Sequence, residues 1–284
     1  HRGVRSMVIV TSLGNSEKIA KGIARKIKAS YMDVKISTFP DGDRYLQFKK
    51  NVKGQNVIIV QSFQPNPQES MLNIIFAAEA IKQQGGKEVC LVAPYLSYMR
   101  QDKAFNPGEC ISSRVMAKLL NNSVDRIVTI DPHLHRYKSM KAIFTIPAVD
   151  LTANSLMGTY VKNKIKTPVI IGPDWESFQW AEEVAKIAEC ESTVFEKTRY
   201  SSRHVEEKMI KEVVMKGKHA VIIDDIISTG HTIAEAAKKA KSLGARTVTA
   251  ICVHGLFVEG ALEKLKKAGV SKIVSCNTIS HKTN

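Results

Sequence analysis

The sequence contains few cysteines, and none of the short spacings that would pair them. Its 284 residues include five cysteines but no C-x-x-C pair, which argues against a disulfide framework or a zinc ribbon. Several of them lie in apolar runs, where a thiol packs like a small hydrophobic side chain. We therefore expect reduced, structural cysteines at Cys90, Cys110, Cys190, Cys252 and Cys276.

The sequence also lacks membrane-spanning and common nucleotide-binding patterns. No stretch approaches the ~18 continuous apolar residues of a membrane span, and no charged-then-apolar leader indicates secretion. Neither G-x-G-x-x-G after the first strand nor G-x-x-x-x-G-K-[ST] is present, so any nucleotide must be held in another way. We expect a cytoplasmic protein without a membrane partner. Residues 1–6 precede the first apolar run and are interpreted as a remnant outside the natural chain.

Positive charge is in excess. The chain has 42 Lys and Arg against 27 Asp and Glu, a formal net charge of +15. Such a balance admits nucleic acid, an anionic surface or anionic small substrates as partners. No nucleic-acid module is apparent, so we expect the charge to serve anionic substrates and not nucleic acid.

Short apolar runs bounded by turn residues alternate with helical patterns along the chain, which predicts an α/β fold with mainly parallel sheets flanked by helices. The region 146–152 has a proline and little periodicity, and it divides the chain into similar halves. We predict one domain over 7–149 and a second over 150–284. The predicted strands are Met7–Val10, Val57–Val60, Val89–Ala93, Ile127–Ile130, Val169–Ile171, Ala220–Ile223, Thr247–Val253 and Ile273–Ser275.

The most specific segment follows the strand Ala220–Ile223. Two acids, Asp224 and Asp225, precede a short polar loop, and a helix with Thr232 and Glu235 as a capping box is predicted to end at Gly244. Amide groups and the dipole at a helix start favour a phosphate, while two carboxylates can accept hydrogen bonds from sugar hydroxyls. Phosphate with a vicinal diol corresponds to ribose 5-phosphate. The loop residues are Ser228, Thr229, Gly230, His231 and Thr232.

This segment resembles the sugar-phosphate loop of the phosphoribosyltransferase fold. The segments Phe39–Tyr45, Ala93–Lys103 and Asp131–His133 look like three further motifs of the ribose-phosphate diphosphokinase (PRPP synthetase) family, in its order. The resemblance implies two tandem phosphoribosyltransferase-like domains. It assigns ribose 5-phosphate to Arg199, Asp224, Asp225, Ser228, Thr229, Gly230, His231 and Thr232.

The same resemblance implies an ATP site. In the family, the loop carrying Arg100 holds ATP, and a guanidinium can clamp polyphosphate oxygens. The Phe39 turn would contact adenine and its ribose, in the family from a neighbouring subunit. The implied partner is thus another copy of this chain, in a homo-oligomer that is a dimer or a hexamer of dimers. The implied ATP-binding residues are Phe39, Asp41, Gly42, Asp43, Arg100, Gln101 and Asp102.

The resemblance implies that His133 and Asp174 bind Mg²⁺ with the ATP phosphates. Each follows a predicted strand, and we place them at corresponding positions in the two halves. His133 and His135 also form an H-x-H spacing that suits a transition metal, an alternative that remains open. The family's diphosphate-binding loop falls at residues 174–179, where Trp175 and Glu176 depart from its usual glycine-rich character.

The resemblance further implies that Lys197 and Arg199 are catalytic cations on a flexible loop that closes over polyphosphate. The implied reaction converts ATP and ribose 5-phosphate to PRPP and AMP. One alternative is a phosphoribosyltransferase that consumes PRPP. Another is a catalytically silent regulator that binds PRPP, or binds nucleic acid through its basic surface.

Overall fold

A computed structural model describes residues 7–134, 136–201, 204–209 and 212–284, and for 196–201 and 204–209 it describes the backbone alone. The chain divides into two compact units. The first comprises residues up to Leu151 with Thr278–Ser280, and the second comprises Thr152–Asn277 with His281–Asn284. The predicted remnant 1–6 and His135 lie outside the described residues.

The first unit is built on a six-stranded parallel sheet. Its strands read as continuous apolar runs because both faces of a parallel sheet are covered, and Val57, Ile59 and Leu91 are fully buried. In spatial order they are β2 (Ser30–Tyr31), β1 (Val8–Ser12), β5 (Asn56–Val60), β6 (Glu88–Ala93), β7 (Arg126–Ile130) and β8 (Ala148–Leu151).

Three α-helices and a separate hairpin complete the described part of the first unit. The helices are α1 (Glu17–Ile27), α2 (Pro67–Gln83) and α3 (Ser112–Ser123), and a 3₁₀ turn spans Met140–Ala142. The antiparallel hairpin of β3 (Val34–Thr38) and β4 (Arg44–Phe48) belongs to neither six-stranded sheet.

The second unit has its own six-stranded sheet, parallel except where β10 meets β11. Its spatial order is β11 (His204–Met209), β10 (Glu191–Ser201), β9 (Pro168–Gly172), β12 (His219–Ile227), β13 (Thr247–Gly255) and β14 (Lys272–Ser275). Its helices are α4 (Asn154–Lys164), α5 (Trp175–Ala188), α6 (His231–Ser242) and α7 (Ala261–Lys267). The predicted fold class is confirmed.

Two details of the predicted organisation are wrong. Strand β8 (Ala148–Leu151) lies within the region 146–152, where the sequence indicated no strand. It is a short edge strand with Val149 and Leu151 exposed, so it lacks the buried run by which the inner strands were recognised. Strand β12 also continues four residues past its predicted end, to Ile227.

The two sheets share a core order that identifies equivalent loops. In each unit the first strand, β1 or β9, lies between the second, β2 or β10, and a later one, β5 or β12. The loops after β1 and β9 are therefore equivalent, as are those after β5 and β12. His133 follows β7 and Asp174 follows β9, so our prediction that they correspond is wrong. Strand order in space is not visible in a single sequence.

The equivalent loops of the first unit are joined by a buried polar network around Gln61. The Gln61 amide nitrogen lies 2.9 Å from Asn15 Oδ1, 3.2 Å from Ser70 Oγ and 3.0 Å from the Ser62 carbonyl oxygen. Its side-chain oxygen accepts a hydrogen bond from the Leu13 amide at 3.2 Å. Buried polar groups are stable when they are paired in this way, so the network fixes the loop after β1 against the loop after β5.

Each of the five cysteines is a free thiol. Burial raises the pKa of Cys90 to about 11, and burial also raises the pKa of fully buried Cys252 well above its ordinary value. Both thiols stay protonated at neutral pH, in keeping with a packing role. Within the described ranges, none of the helices has the length and apolar character needed to cross a membrane.

Candidate active site

The polar loop predicted to bind a sugar phosphate leads directly into helix α6. Gly230 precedes the helix with φ 72°, a left-handed conformation that favours glycine, and a Cβ there would lie 3.2 Å from Leu265. The Ala234 amide donates to the Gly230 carbonyl at 2.9 Å. The loop therefore presents the amide groups of a twelve-residue helix, an arrangement that attracts anions.

The predicted capping box is wrong, whereas the predicted helix end is confirmed. The helix begins at His231, so Thr232 lies inside its first turn, and the N-cap residue is Gly230, which has no side chain to cap it. The Thr229 hydroxyl instead accepts from the His231 amide at 3.4 Å. The cause is Gly230, whose left-handed backbone starts the helix earlier than a threonine cap would. At the other end, Gly244 has φ 89° and its amide donates to the Lys241 carbonyl at 3.0 Å.

Three carboxylates lie near one another at the same edge of the second sheet. Asp224 and Asp225 lie near the end of β12, inside the strand, and the Asp225 amide donates to Asp224 Oδ1 at 2.9 Å. Burial, and then the Asp225 and Asp174 carboxylates, raise the pKa of Asp224 well above its ordinary value of 3.8. The site therefore concentrates negative charge that a cation or hydroxyl donors would stabilise.

Asp174 caps helix α5. Its Oδ1 accepts hydrogen bonds from the Ser177 amide at 2.9 Å and the Ser177 hydroxyl at 2.5 Å. The helix starts at Trp175, so the loop conformation predicted over 174–179 is wrong: apart from its first residue, this segment is helical. Its binding of diphosphate stays a prediction. A good cap followed by helix-forming residues explains the difference. Trp175 is exposed and packs edge-on against Phe178.

The predicted metal ligands do not form a complete cage. No group of three or more His, Cys, Asp or Glu side chains in the described ranges could hold a metal ion. His133 lies in the segment after β7 of the first unit, and Asp174 lies in the second unit. The H-x-H alternative depends on His135, which is outside the described residues.

The Phe39 turn is the tip of the β3–β4 hairpin. The Phe39 amide donates to the Asp43 carbonyl at 2.8 Å, and Asp41 Oδ1 accepts from the Asp43 amide at 3.1 Å. Gly42 has φ 97°, which this tight turn requires. Half of the Phe39 surface is exposed, and its ring packs edge-on against Tyr45 with centroids 5.6 Å apart. An aromatic ring is thus held at an exposed tip.

An ion pair connects the β3–β4 hairpin to helix α2. Arg44 Nη2 lies 2.8 Å from Glu69 Oε1, which belongs to the first turn of α2. Sequence reasoning overlooked Arg44, although it lies within the Phe39–Tyr45 motif. An arginine beside a projecting turn is the signal that could have indicated an anchor.

Residues of the loop between β6 and α3 have different environments. Arg100 is exposed. The Gln101 amide nitrogen donates to the Lys103 carbonyl at 3.0 Å and to Glu109 Oε2 at 3.2 Å. The Asp102 side chain is fully buried and pairs with Arg136. The ATP contacts of these residues stay predictions, but the loop itself is held by internal contacts that the sequence did not indicate.

Lys197 and Arg199 lie on strand β10 and not on the predicted loop. Strand β10 pairs with β9 over Glu191–Val194 and then with β11, where Lys197 is opposite Glu207. The segment that was predicted to be a flexible loop is therefore part of a strand. The side chains of Lys197 and Arg199 are outside the described part of the structure, and their assignment as catalytic residues stays a prediction.

Comparison with known proteins identifies both halves. Residues 8–123 match the family model for the N-terminal domain of ribose phosphate pyrophosphokinase, and residues 139–284 match the phosphoribosyl transferase domain. The chain is 36% identical over 265 residues to the ribose-phosphate pyrophosphokinase of Methanothermobacter thermautotrophicus, covering 93% of this chain and 91% of that protein. It is 33% identical over 277 residues to that of Methanobrevibacter smithii, covering 93% and 92%.

A solved structure shows the same fold. The phosphoribosylpyrophosphate synthetase of Mycobacterium smegmatis superposes with a TM-score of 0.85 at 24% identity, covering 98% of this chain and 92% of that one. The predicted tandem phosphoribosyltransferase-like architecture is confirmed. The chain belongs to the ribose-phosphate pyrophosphokinase family.

Proposed function

We propose that the protein transfers the diphosphoryl group of MgATP to the anomeric hydroxyl of ribose 5-phosphate, giving PRPP and AMP for nucleotide biosynthesis. The observation that carries this proposal is the adjacency of Asp224 and Asp225 to the start of α6. Carboxylates can accept hydrogen bonds from the ribose hydroxyls, and the amide groups of the helix can donate hydrogen bonds to the 5-phosphate. Membership of the family supports the same reaction.

The proposed chemistry depends on positioning and charge neutralisation. The anomeric hydroxyl attacks the β-phosphorus of ATP and releases its proton to solvent, the bond from that phosphorus to the α-phosphate oxygen breaks, and AMP leaves. Asp224, Asp225 and the loop 228–232 hold the sugar phosphate. Arg100 and the Phe39 turn hold ATP. Each of these groups holds a substrate in a fixed position, which lowers the entropic cost of aligning the reacting atoms.

Lys197 and Arg199 are proposed to stabilise charge on the transferring group. Two cations fixed beside polyphosphate oxygens lower the barrier most when the negative charge of the transition state is greatest. This role fits the family resemblance and does not require a covalent enzyme intermediate.

The residues near the site fit Mg²⁺. Asp174 contributes a carboxylate whose Oδ2 is not used by the Ser177 contacts, and the carboxylate cluster that raises the pKa of Asp224 favours a hard cation. We propose that Asp174 and His133 bind Mg²⁺ together with substrate phosphates. Bound Mg²⁺ would neutralise polyphosphate charge.

The assembly and location stay predictions. We propose a homo-oligomer in which the exposed Phe39 tip contributes to a neighbouring ATP site, and we retain the cytoplasmic location. The exposed ring of Phe39 supports the proposed homo-oligomer, because covering this apolar surface with a ligand or a partner would be favourable in free energy.

The test is incubation of the protein with MgATP and ribose 5-phosphate, followed by assay of AMP and PRPP. Equal amounts of both products are expected, and Asp225→Asn should raise the KM for ribose 5-phosphate much more than that for ATP. Consumption of added PRPP with a nucleobase would instead identify a phosphoribosyltransferase. Binding of PRPP without turnover would identify a regulator.

A further inference from the structure

A buried ion pair ties the loop between β6 and α3 to the segment after β7. Arg136 Nη1 lies 2.7 Å from Asp102 Oδ1. The Asp102 side chain is 0% exposed and that of Arg136 is 46% exposed. Asp102 Oδ2 has no hydrogen-bond partner among the described residues. A buried carboxylate requires a counter-charge, so the position of Asp102 depends on Arg136.

Neighbouring contacts join the same two segments. The Tyr137 hydroxyl donates to the Asp102 carbonyl at 3.3 Å and lies 2.8 Å from Ser113 Oγ at the start of α3. The Ser113 amide donates to the Gln101 carbonyl at 3.3 Å. The backbone on which Gln101 and Asp102 lie is thus held from two sides.

Arg136 also contacts the outer part of the loop. Its guanidinium carbon lies 5.3 Å from the centroid of the Phe105 ring, within the range of a cation–π contact, and Lys103 Nζ lies 5.1 Å from the same centroid. A single side chain therefore contacts both Asp102 and Phe105. Loops of this length without secondary structure of their own require such anchors to hold one conformation.

We propose that Arg136 is a positioning residue for ATP, which holds the loop 100–109 in its binding conformation through Asp102. Asp102 then acts as the anchor of this contact and not as an ATP ligand. The inference rests on the proposed function, because it takes Arg100 and Gln101 as the residues that meet ATP. Arg136 lies close in sequence to His133, so the ion pair of Arg136 with Asp102 also links the ATP loop to the segment proposed to bind the metal.

Arg136→Gln should raise the KM for ATP about tenfold while kcat and the KM for ribose 5-phosphate change less than threefold. Arg136→Lys should recover part of the loss because it keeps the charge. The matched control is Arg126→Gln, which removes a surface ion pair with Glu88 at 3.1 Å in the same unit. That control should leave all three constants unchanged, since exposed pairs contribute little.

A double-mutant cycle separates an anchor from a ligand. Asp102→Asn removes the buried charge, so adding Arg136→Gln should weaken ATP no further if Arg136 acts through Asp102. Additive losses would show that Arg136 and Asp102 affect ATP binding independently and would overturn the proposal. So would an unchanged KM for ATP in folded Arg136→Gln.

Calorimetric titration with α,β-methylene ATP gives a readout that needs no turnover. Arg136→Gln should weaken binding of this analogue about tenfold, with thermal unfolding measured to establish that the variant is folded. If the wild type forms AMP and the variant binds the analogue normally, the inference fails and the function stands. If the wild type neither forms AMP nor binds the analogue, both fail.

Discussion

Replacing Asp224 with asparagine should stabilise the protein at neutral pH while weakening its binding of ribose 5-phosphate. Burial and two neighbouring carboxylates raise the pKa of Asp224, so the ionised form is less stable in the folded than in the unfolded chain. Asparagine keeps the oxygen that accepts from the Asp225 amide, and its NH₂ group can donate to the Asp225 carboxylate. The substitution removes charge without leaving a polar group unpaired.

The expected gain is about 0.5 to 2 kcal/mol, the usual range for a stabilising substitution. For a chain of this size, that corresponds to a rise in Tm of roughly 1 to 3 °C. The loss in affinity should be about tenfold to a hundredfold, because a hydrogen bond to a charged group contributes about 1.5 to 3 kcal/mol.

The gain has a defined pH dependence. Below the unfolded pKa, near 3.8, Asp224 is protonated in both states and the asparagine variant has no advantage. The advantage should grow as pH rises from that value through the raised folded pKa, and stay constant above it.

Thermal unfolding of both proteins between pH 4 and 8 would measure this profile. Glu263→Gln, an exposed position on α7 of the same unit, is the control and should change Tm by less than about 1 °C. A lower Tm for Asp224→Asn at pH 7.5, or a gain that is the same at pH 4 and pH 7.5, would refute the reasoning.

Other substitutions test the remaining roles. Lys197→Ala should lower kcat by about 10² or more with little change in the KM for ATP, and an unchanged kcat would remove it from the mechanism. Asp174→Asn should raise the Mg²⁺ concentration needed for activity while keeping Tm, because asparagine also caps helices, whereas Asp174→Ala should also lose about 1 kcal/mol of stability; matching metal titrations would contradict the assignment. Phe39→Ala should raise the KM for ATP, and mixing it with Arg100→Ala should restore some activity through a composite site. No recovery despite subunit exchange would place the whole site in one chain.

The inner strands were predictable because burial on both faces leaves a local signal. The run before Asp224 is apolar without interruption, and β12 contains all of it. The start of α6 was misplaced because a threonine and a glutamate three residues apart satisfy a local pattern, whereas the backbone of Gly230 decides the boundary. Local rules identify the helix but not its first residue.

The contacts of the candidate site were less predictable. Asp102 and Arg136 meet across an ion pair although they are 34 residues apart, and nothing in either segment indicates the other. The motifs indicated which loops carry chemistry. They did not show which of the side chains in those loops contact the rest of the protein and hold the loop in place.

The two equivalent pairs of loops differ in the charge of their buried groups. In the first unit, Gln61 and its partners form hydrogen bonds between uncharged groups, and these join the loop after β1 to the loop after β5. In the second unit, the same topological position holds Asp174 and Asp224, whose charges oppose one another. The first pair of loops is thus held together by its own hydrogen bonds, whereas the second carries an electrostatic cost that a cation or hydroxyl donors would relieve.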